Sequence, residues 1–292
     1  MFGGSMVAVV TPMGVGGEID WAAWEKLVDF HATQGTDALV VGGTTGESAT
    51  LSDAEVARLI ESAIRVLRGR MPVIAGAASN STAVAAERAR EISATGADAL
   101  LVVTPYYNKP TQGGLFEHFS VVARASSVPV ILYNVPSRTA VDLQAETVAK
   151  LARVPNIVAI KEATGSVERA QAIRAAAPAE FEIYSGDDAT AVELMAAGAR
   201  GVISVTANVA PRQMHAVCAA AAAGDLARAR DLDGKLRELH QVLFVESNPI
   251  PSKWALHQMG LIPPGLRLPL TPLEPRNHAT VHGALKRAGL LS

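Results

Sequence analysis

Lys161 closes the apolar run Ile157-Val158-Ala159-Ile160 and is the one lysine of seven to stand at the end of such a run. The others, Lys26, Lys109, Lys150, Lys235, Lys253 and Lys286, fall in expected helices or an open loop. An ordinary lysine, with a pKa of about 10.4, is nearly all ammonium at neutral pH, and removal from water disfavours that charge. An amine in an apolar mouth can therefore attack a carbonyl carbon and form an imine. The plainer alternative is a rim lysine paired with Glu162 or an aspartate. Tyr133 ends the apolar run before it, so a phenol is available to shuttle the proton that carbinolamine chemistry requires. Otherwise it packs there with its hydroxyl in water.

Gly42-Gly43-Thr44-Thr45-Gly46-Glu47 follows another β-branched run and supplies clustered backbone N–H groups and two hydroxyls, a cradle for a small carboxylate. It lacks the lysine of a phosphate-binding G-x-x-x-x-G-K-[ST] loop, and Glu47 would repel a triphosphate. Glu47 is expected to hold the loop rather than touch a ligand, and as a bare turn the segment needs no ligand at all. Arg138, in Asn134-Val135-Pro136-Ser137-Arg138-Thr139, presents a planar fork suited to a carboxylate, or else a solvated surface charge. All seven histidines fall in expected helices and none ends an apolar run, which argues against an imidazole-bound zinc centre. His278 and His282 share a helix face but lack the acidic residue of H-E-x-x-H, and Cys218 reads as a small core residue.

These side chains need elements to position them. Short apolar runs at 6–10, 38–41, 73–75, 100–103, 130–133, 157–161, 181–185 and 201–204 alternate with helix signals: Asp20, Ser81, Ser166 before Glu168, and Ser52 with Glu55 as a capping box. Gly35 and Gly96 read as helix stops. Eight strand-helix units predict an α/β fold, a (β/α)8 TIM barrel, in preference to a doubly wound open sheet. Gly35-Thr36-Asp37-Ala38 and Gly96-Ala97-Asp98-Ala99 echo one another, as a repeated unit should. After Pro211 the strand signal stops and helices are expected at about 212–223, 225–245, 250–259 and 277–288. The organisation expected is a catalytic barrel over 1–224 with a C-terminal helical appendage over 225–292 packed on it. In such a barrel the working residues lie where strands end, which is where Thr44, Tyr107, Tyr133, Lys161 and Gly186 fall.

The 292 residues carry a net charge of −2 and are 49% hydrophobic and 18% charged, which excludes disorder and gives no electrostatic case for nucleic acid. No apolar run approaches the roughly 18 residues a membrane span requires, and no basic leader is visible. A single cysteine cannot form an internal disulfide, so a reducing, cytoplasmic setting is expected.

Gly43-Thr44-Thr45-Gly46-Glu47, Tyr106-Tyr107-Asn108-Lys109-Pro110, Tyr133-Asn134-Val135-Pro136 with Arg138, Ile160-Lys161-Glu162, Ser185-Gly186-Asp187-Asp188, Ile203-Ser204-Val205 and Asn248-Pro249 together resemble the dihydrodipicolinate synthase family, across essentially the whole chain. The lysine strand and the G-T-T-G-E loop mark the wider pyruvate-dependent Schiff-base lyases. Thr44-Thr45, Tyr107 and Arg138 are the narrower marks. The resemblance implies that Lys161 forms an imine with pyruvate, which as its enamine attacks L-aspartate 4-semialdehyde to give 4-hydroxy-tetrahydrodipicolinate in lysine and diaminopimelate biosynthesis. It further implies a proton relay of Tyr133, Thr44 and Tyr107, the last reaching in from another subunit of a homo-oligomer, a tetramer built as a dimer of dimers. Thr44 and Thr45 would hold the pyruvate carboxylate and Arg138 that of the semialdehyde, with the backbone around Gly186 and Ile203 lining the pocket. No redox or metal cofactor is implied. A sibling aldolase acting on sugar acids, or a non-catalytic pyruvate binder, are the rival readings. The retained Tyr107 and Arg138 count against the first, and Lys161, Tyr133 and Thr44 together against the second.

Lysine-inhibited relatives use counterparts of Ser48, Ala49, Asn80 and Tyr106, with a histidine or glutamate at the positions of Val56 and Val84. Both are apolar here and offer the effector's ammonium nothing, so inhibition by lysine is expected to be weak or absent.

Overall fold

Each β-branched run pairs in parallel with the next, and the last closes on the first. The computed structural model describes residues 2–77 and 79–291, so the outer ends of the two expected regions, Met1 and Ser292, lie outside it. Among the described residues the strands are β1 (Gly4–Ala8), β2 (Ala38–Val41), β3 (Val73–Gly76), β4 (Ala99–Val103), β5 (Val130–Asn134), β6 (Ile157–Glu162), β7 (Glu182–Ser185) and β8 (Gly201–Ser204). They form one closed barrel in chain order, with Gly4 opposite Gly201 at the seam, rather than an open sheet.

Closure gives every strand two buried faces, which is why the runs are apolar throughout instead of alternating with polar residues. Met6, Val40, Ile74, Leu101, Ile131, Ala159, Tyr184 and Ile203 fill the barrel, while Val7, Leu39, Leu100, Leu132, Ile160 and Ile183 pack outward under the helices. Helices begin where their capping residues predict. Asp20 accepts from the Ala23 N–H at 2.9 Å, Ser166 from that of Arg169 at 3.1 Å, and Ser52 and Glu55 satisfy one another's backbone N–H groups. Ser81 occupies its cap without a side-chain bond. Gly35 and Gly96 follow their helices with φ of 84° and 92°, a conformation that a Cβ disfavours.

Most boundaries move by one or two residues from the sequence-based expectation, and two of the differences have a visible cause. β1 runs over Gly4–Ala8 rather than 6–10, because the Asn208 side chain interrupts the ladder: its carbonyl accepts the Val10 N–H at 3.0 Å and its amide donates to Ala8 at 2.9 Å. The expected helix over 225–245 is two, Leu226–Gly234 and Arg237–Val242, broken where Gly234 weakens helical propensity. Helix Pro211–Ala222 packs on β1, and Ile250–Gln258 reaches the loop after β8, which brings the chain's last fifth to the barrel mouth.

Candidate active site

The C-terminal ends of β5, β6 and β7 put three side chains in one row. Tyr133, Lys161 and Tyr184 are register partners across the two ladders, and strand alternation turns them all into the barrel. Lys161 is 5% exposed, and its ammonium sits 4.3 Å from the centroid of the Tyr133 ring, a cation–π contact. Tyr184 reaches the opposite way, donating its hydroxyl to the Phe2 carbonyl at 3.2 Å, and so forms a floor beneath the lysine. Burial raises the Tyr184 phenol pKa above its usual range.

The rim ion pair that rivalled the imine reading is absent among the described residues. Alternation puts Glu162 on the outer face of β6, where the Asn134 amide donates to it at 3.1 Å and the Thr164 N–H at 2.8 Å. Burial nonetheless raises the Glu162 pKa, with those hydrogen bonds opposing. Among the described residues no carboxylate stands within ion-pair distance of Lys161.

Gly186 lies directly against the lysine. A Cβ there would stand 3.0 Å from Lys161 Cε and 2.5 Å from Ala163 Cβ, so only glycine leaves room for the side chain and a small molecule beside it. Ile203, fully buried on β8, belongs to the same interior cluster as Tyr133. Asp188 steadies the loop after it, one carboxylate oxygen accepting the Val205 and Thr206 N–H groups at 2.9 Å each.

The G-T-T-G-E segment folds into a 3-10 turn, Thr44–Gly46, capped by Glu47 in the left-handed conformation. The Gly46 and Glu47 N–H groups turn back onto Gly43 and Thr44, whereas those of Thr44 and Thr45 find no acceptor among the described residues and stay available to an anion. Asn248 ties this turn to the β5 loop. Its side-chain amide donates to Thr45 Oγ1 at 2.9 Å, and its main-chain carbonyl accepts from the Arg138 guanidinium at 3.3 Å. Arg138 sits at the end of the short helix Pro136–Thr139, exposed at the rim, with its remaining donors finding no acceptor among the described residues.

Lys161, Tyr133, Gly186, Ile203, Thr44, Thr45 and Arg138 thus share one end of the barrel. Tyr107 does not join them within its own chain. It is 88% exposed, with φ of 74°, a backbone strain of roughly 1–3 kcal/mol for a non-glycine residue. Three contributors escaped sequence reasoning. Tyr184 is recoverable from alternation along its strand, whereas Asn248 carried a motif but no role. Lys253 pairs with Glu47 from 206 positions away, and only the mainly apolar residues buried on the same helix hint that it points inward.

Comparison with known proteins agrees with this geometry. A family model described as the dihydrodipicolinate synthetase family matches residues 1–288. A 4-hydroxy-tetrahydrodipicolinate synthase of Pseudomonas aeruginosa is 54% identical over 292 residues, covering 100% of both chains, and one of Pseudomonas savastanoi is 56% identical over 291 residues, again covering 100% of both. The crystal structure of the chloride-inhibited dihydrodipicolinate synthase from Acinetobacter baumannii, complexed with pyruvate, superposes with a TM-score of 0.98 at 53% identity over the full length of both chains.

Proposed function

The chain belongs to the dihydrodipicolinate synthetase family, and we infer that Lys161 is the residue through which it condenses pyruvate with L-aspartate 4-semialdehyde. The enzyme is a lyase, and the product is 4-hydroxy-tetrahydrodipicolinate. Lys161 Nζ attacks C2 of pyruvate, and the carbinolamine loses water to give the imine. Loss of a C3 proton yields the enamine, whose C3 attacks the aldehyde carbon while the aldehyde oxygen takes up a proton. The amino group of the former semialdehyde then adds to C2 and expels the lysine amine, closing the ring. The imine nitrogen serves as the electron sink, so the reading requires neither a redox nor a metal cofactor.

Tyr133, whose ring lies beside the amine, carries the protons through its hydroxyl, with Thr44 and Tyr107 completing the relay. Tyr107 comes from a second copy of the chain, since in its own chain it faces solvent. The functional unit in this reading is at least a dimer, and the tetramer proposed for it, a dimer of dimers, follows the family resemblance alone. The open N–H groups of Thr44 and Thr45 bind the pyruvate carboxylate, Arg138 binds that of the semialdehyde, and Gly186 and Ile203 wall the pocket. The barrel over 1–224 is the catalytic unit, and 225–292 supplies Asn248 to its mouth. No helix among the described residues is long and apolar enough to cross a membrane, and the lone buried Cys218 fits a cytoplasmic enzyme.

The observation that carries the assignment is the buried Lys161 amine, with no carboxylate partner among the described residues and in register with Tyr133. Borohydride reduction in the presence of pyruvate tests it. The adduct is expected on the peptide containing Lys161, and labelling elsewhere or not at all contradicts the assignment.

A further inference from the structure

Glu47 and Lys253 form an ion pair in which each side chain is only 1% exposed, directly behind the turn that carries Thr44 and Thr45. Neither touches the reacting atoms. Glu47 holds a left-handed φ of 60°, unusual for a non-glycine residue, and its N–H closes the turn onto the Thr44 carbonyl at 3.1 Å. Its second carboxylate oxygen accepts the Arg267 N–H at 3.0 Å. The Arg267 guanidinium in turn holds the Thr50 carbonyl and Glu55, both 2.8 Å away, on the far side of the turn. Five residues before Lys253, Asn248 grips Thr45.

A buried charge is tolerated only with its partner in place, and such a pair contributes geometric definition more readily than net stability. Burial lowers the Lys253 pKa, and the Glu47 carboxylate beside it opposes that shift. The pair is therefore a rigid strut between helix Ile250–Gln258 and a strained turn.

We propose that Lys253, acting through Glu47, is a positioning residue for pyruvate: the buried pair fixes the Thr44–Gly46 turn so that the Thr44 and Thr45 N–H groups meet the substrate carboxylate. This rests on the assignment of that turn to pyruvate. It makes a lysine of the helical C-terminal region a determinant of affinity for the first substrate, although imine chemistry belongs to Lys161.

Lys253→Met, Glu47→Gln and the double variant Glu47→Gln/Lys253→Met separate positioning from folding, since the double variant leaves no unpaired buried charge. The expected result is a KM for pyruvate raised at least tenfold in each folded variant, with the KM for the semialdehyde changed less than threefold. In the double variant the melting temperature recovers towards that of the wild type while the KM for pyruvate stays high. A double variant that folds stably and binds pyruvate as the wild type does overturns the proposal, as does an equal rise in both KM values. Pyruvate trapping on wild-type Lys161 is run first. Its failure removes the underlying assignment and the proposal together, whereas trapping with unchanged pyruvate affinity in the variants removes the proposal alone.

Discussion

Tyr133 and Lys161 are cross-strand partners on β5 and β6, and the lysine ammonium lies 4.3 Å from the tyrosine ring centroid. Register alone brings them together, because parallel strands in a closed barrel place equivalent residues side by side and alternation turns both inward. The phenol is thus delivered to the amine by backbone geometry and needs no loop to order it.

Tyr133→Phe keeps the ring beneath the ammonium and removes only the hydroxyl. Proton transfer by a positioned group contributes about 10²–10⁴-fold, so kcat should fall by that order while the KM for pyruvate moves little. Steady-state kinetics with both substrates checks this, and an unchanged kcat would assign the relay elsewhere.

Arg138→Ala leaves the pyruvate cradle intact and removes a guanidinium held at the rim by the Asn248 carbonyl. Charge-assisted hydrogen bonds are worth about 1.5–3 kcal/mol each, so the KM for the semialdehyde should rise tenfold or more. Borohydride trapping of pyruvate on Lys161 should proceed as before. Loss of trapping would mean that Arg138 serves the first substrate.

Asn248, Lys253 and the strand ends show what was legible in the sequence. A β-branched run ending in lysine is visible because burial on both strand faces leaves few other reasons for that order, and the caps at Asp20, Ser52 and Ser166 act within four residues. The partners of Glu47 and Thr45 lie more than 200 positions away, and their meeting depends on how the last helices pack, for which local propensity carries no signal. The shifted β1 has the same cause, since Asn208, in the loop after the neighbouring β8, takes the Val10 N–H from 198 positions away.

Burial holds His31 neutral, with its pKa lowered to about 3, and does the same for His118, lowered to about 4. The unfolded chain takes up these protons near pH 6.5 and the folded one does not, so stability is highest above that pH and falls as pH drops from 6.5 towards 4. Each group contributes a slope of at most about 1.4 kcal/mol per pH unit. His31→Leu should lessen the fall in melting temperature between pH 6.5 and pH 5, and an unaltered slope would refute this origin.

Val56 packs against Gly42 and Val84 lies half-exposed, so neither offers a lysine effector a charge or a hydrogen bond. Each lost charge-assisted contact weakens binding by about tenfold or more. Activity should persist in millimolar L-lysine, and half-inhibition below 1 mM, roughly the dissociation constant of a ligand bound by about 4 kcal/mol, would contradict the prediction.

The central claim is that Lys161 carries the carbon–carbon bond formation as an imine. Turnover of pyruvate with L-aspartate 4-semialdehyde, coupled to a reductase so that NADPH consumption reports the product, tests it most directly when wild type and Lys161→Ala are run side by side. The account predicts robust turnover in the wild type and a loss of at least 10³-fold, a ΔΔG‡ of about 4 kcal/mol, in the variant. Comparable turnover in the two proteins, or none in the wild type, would contradict it.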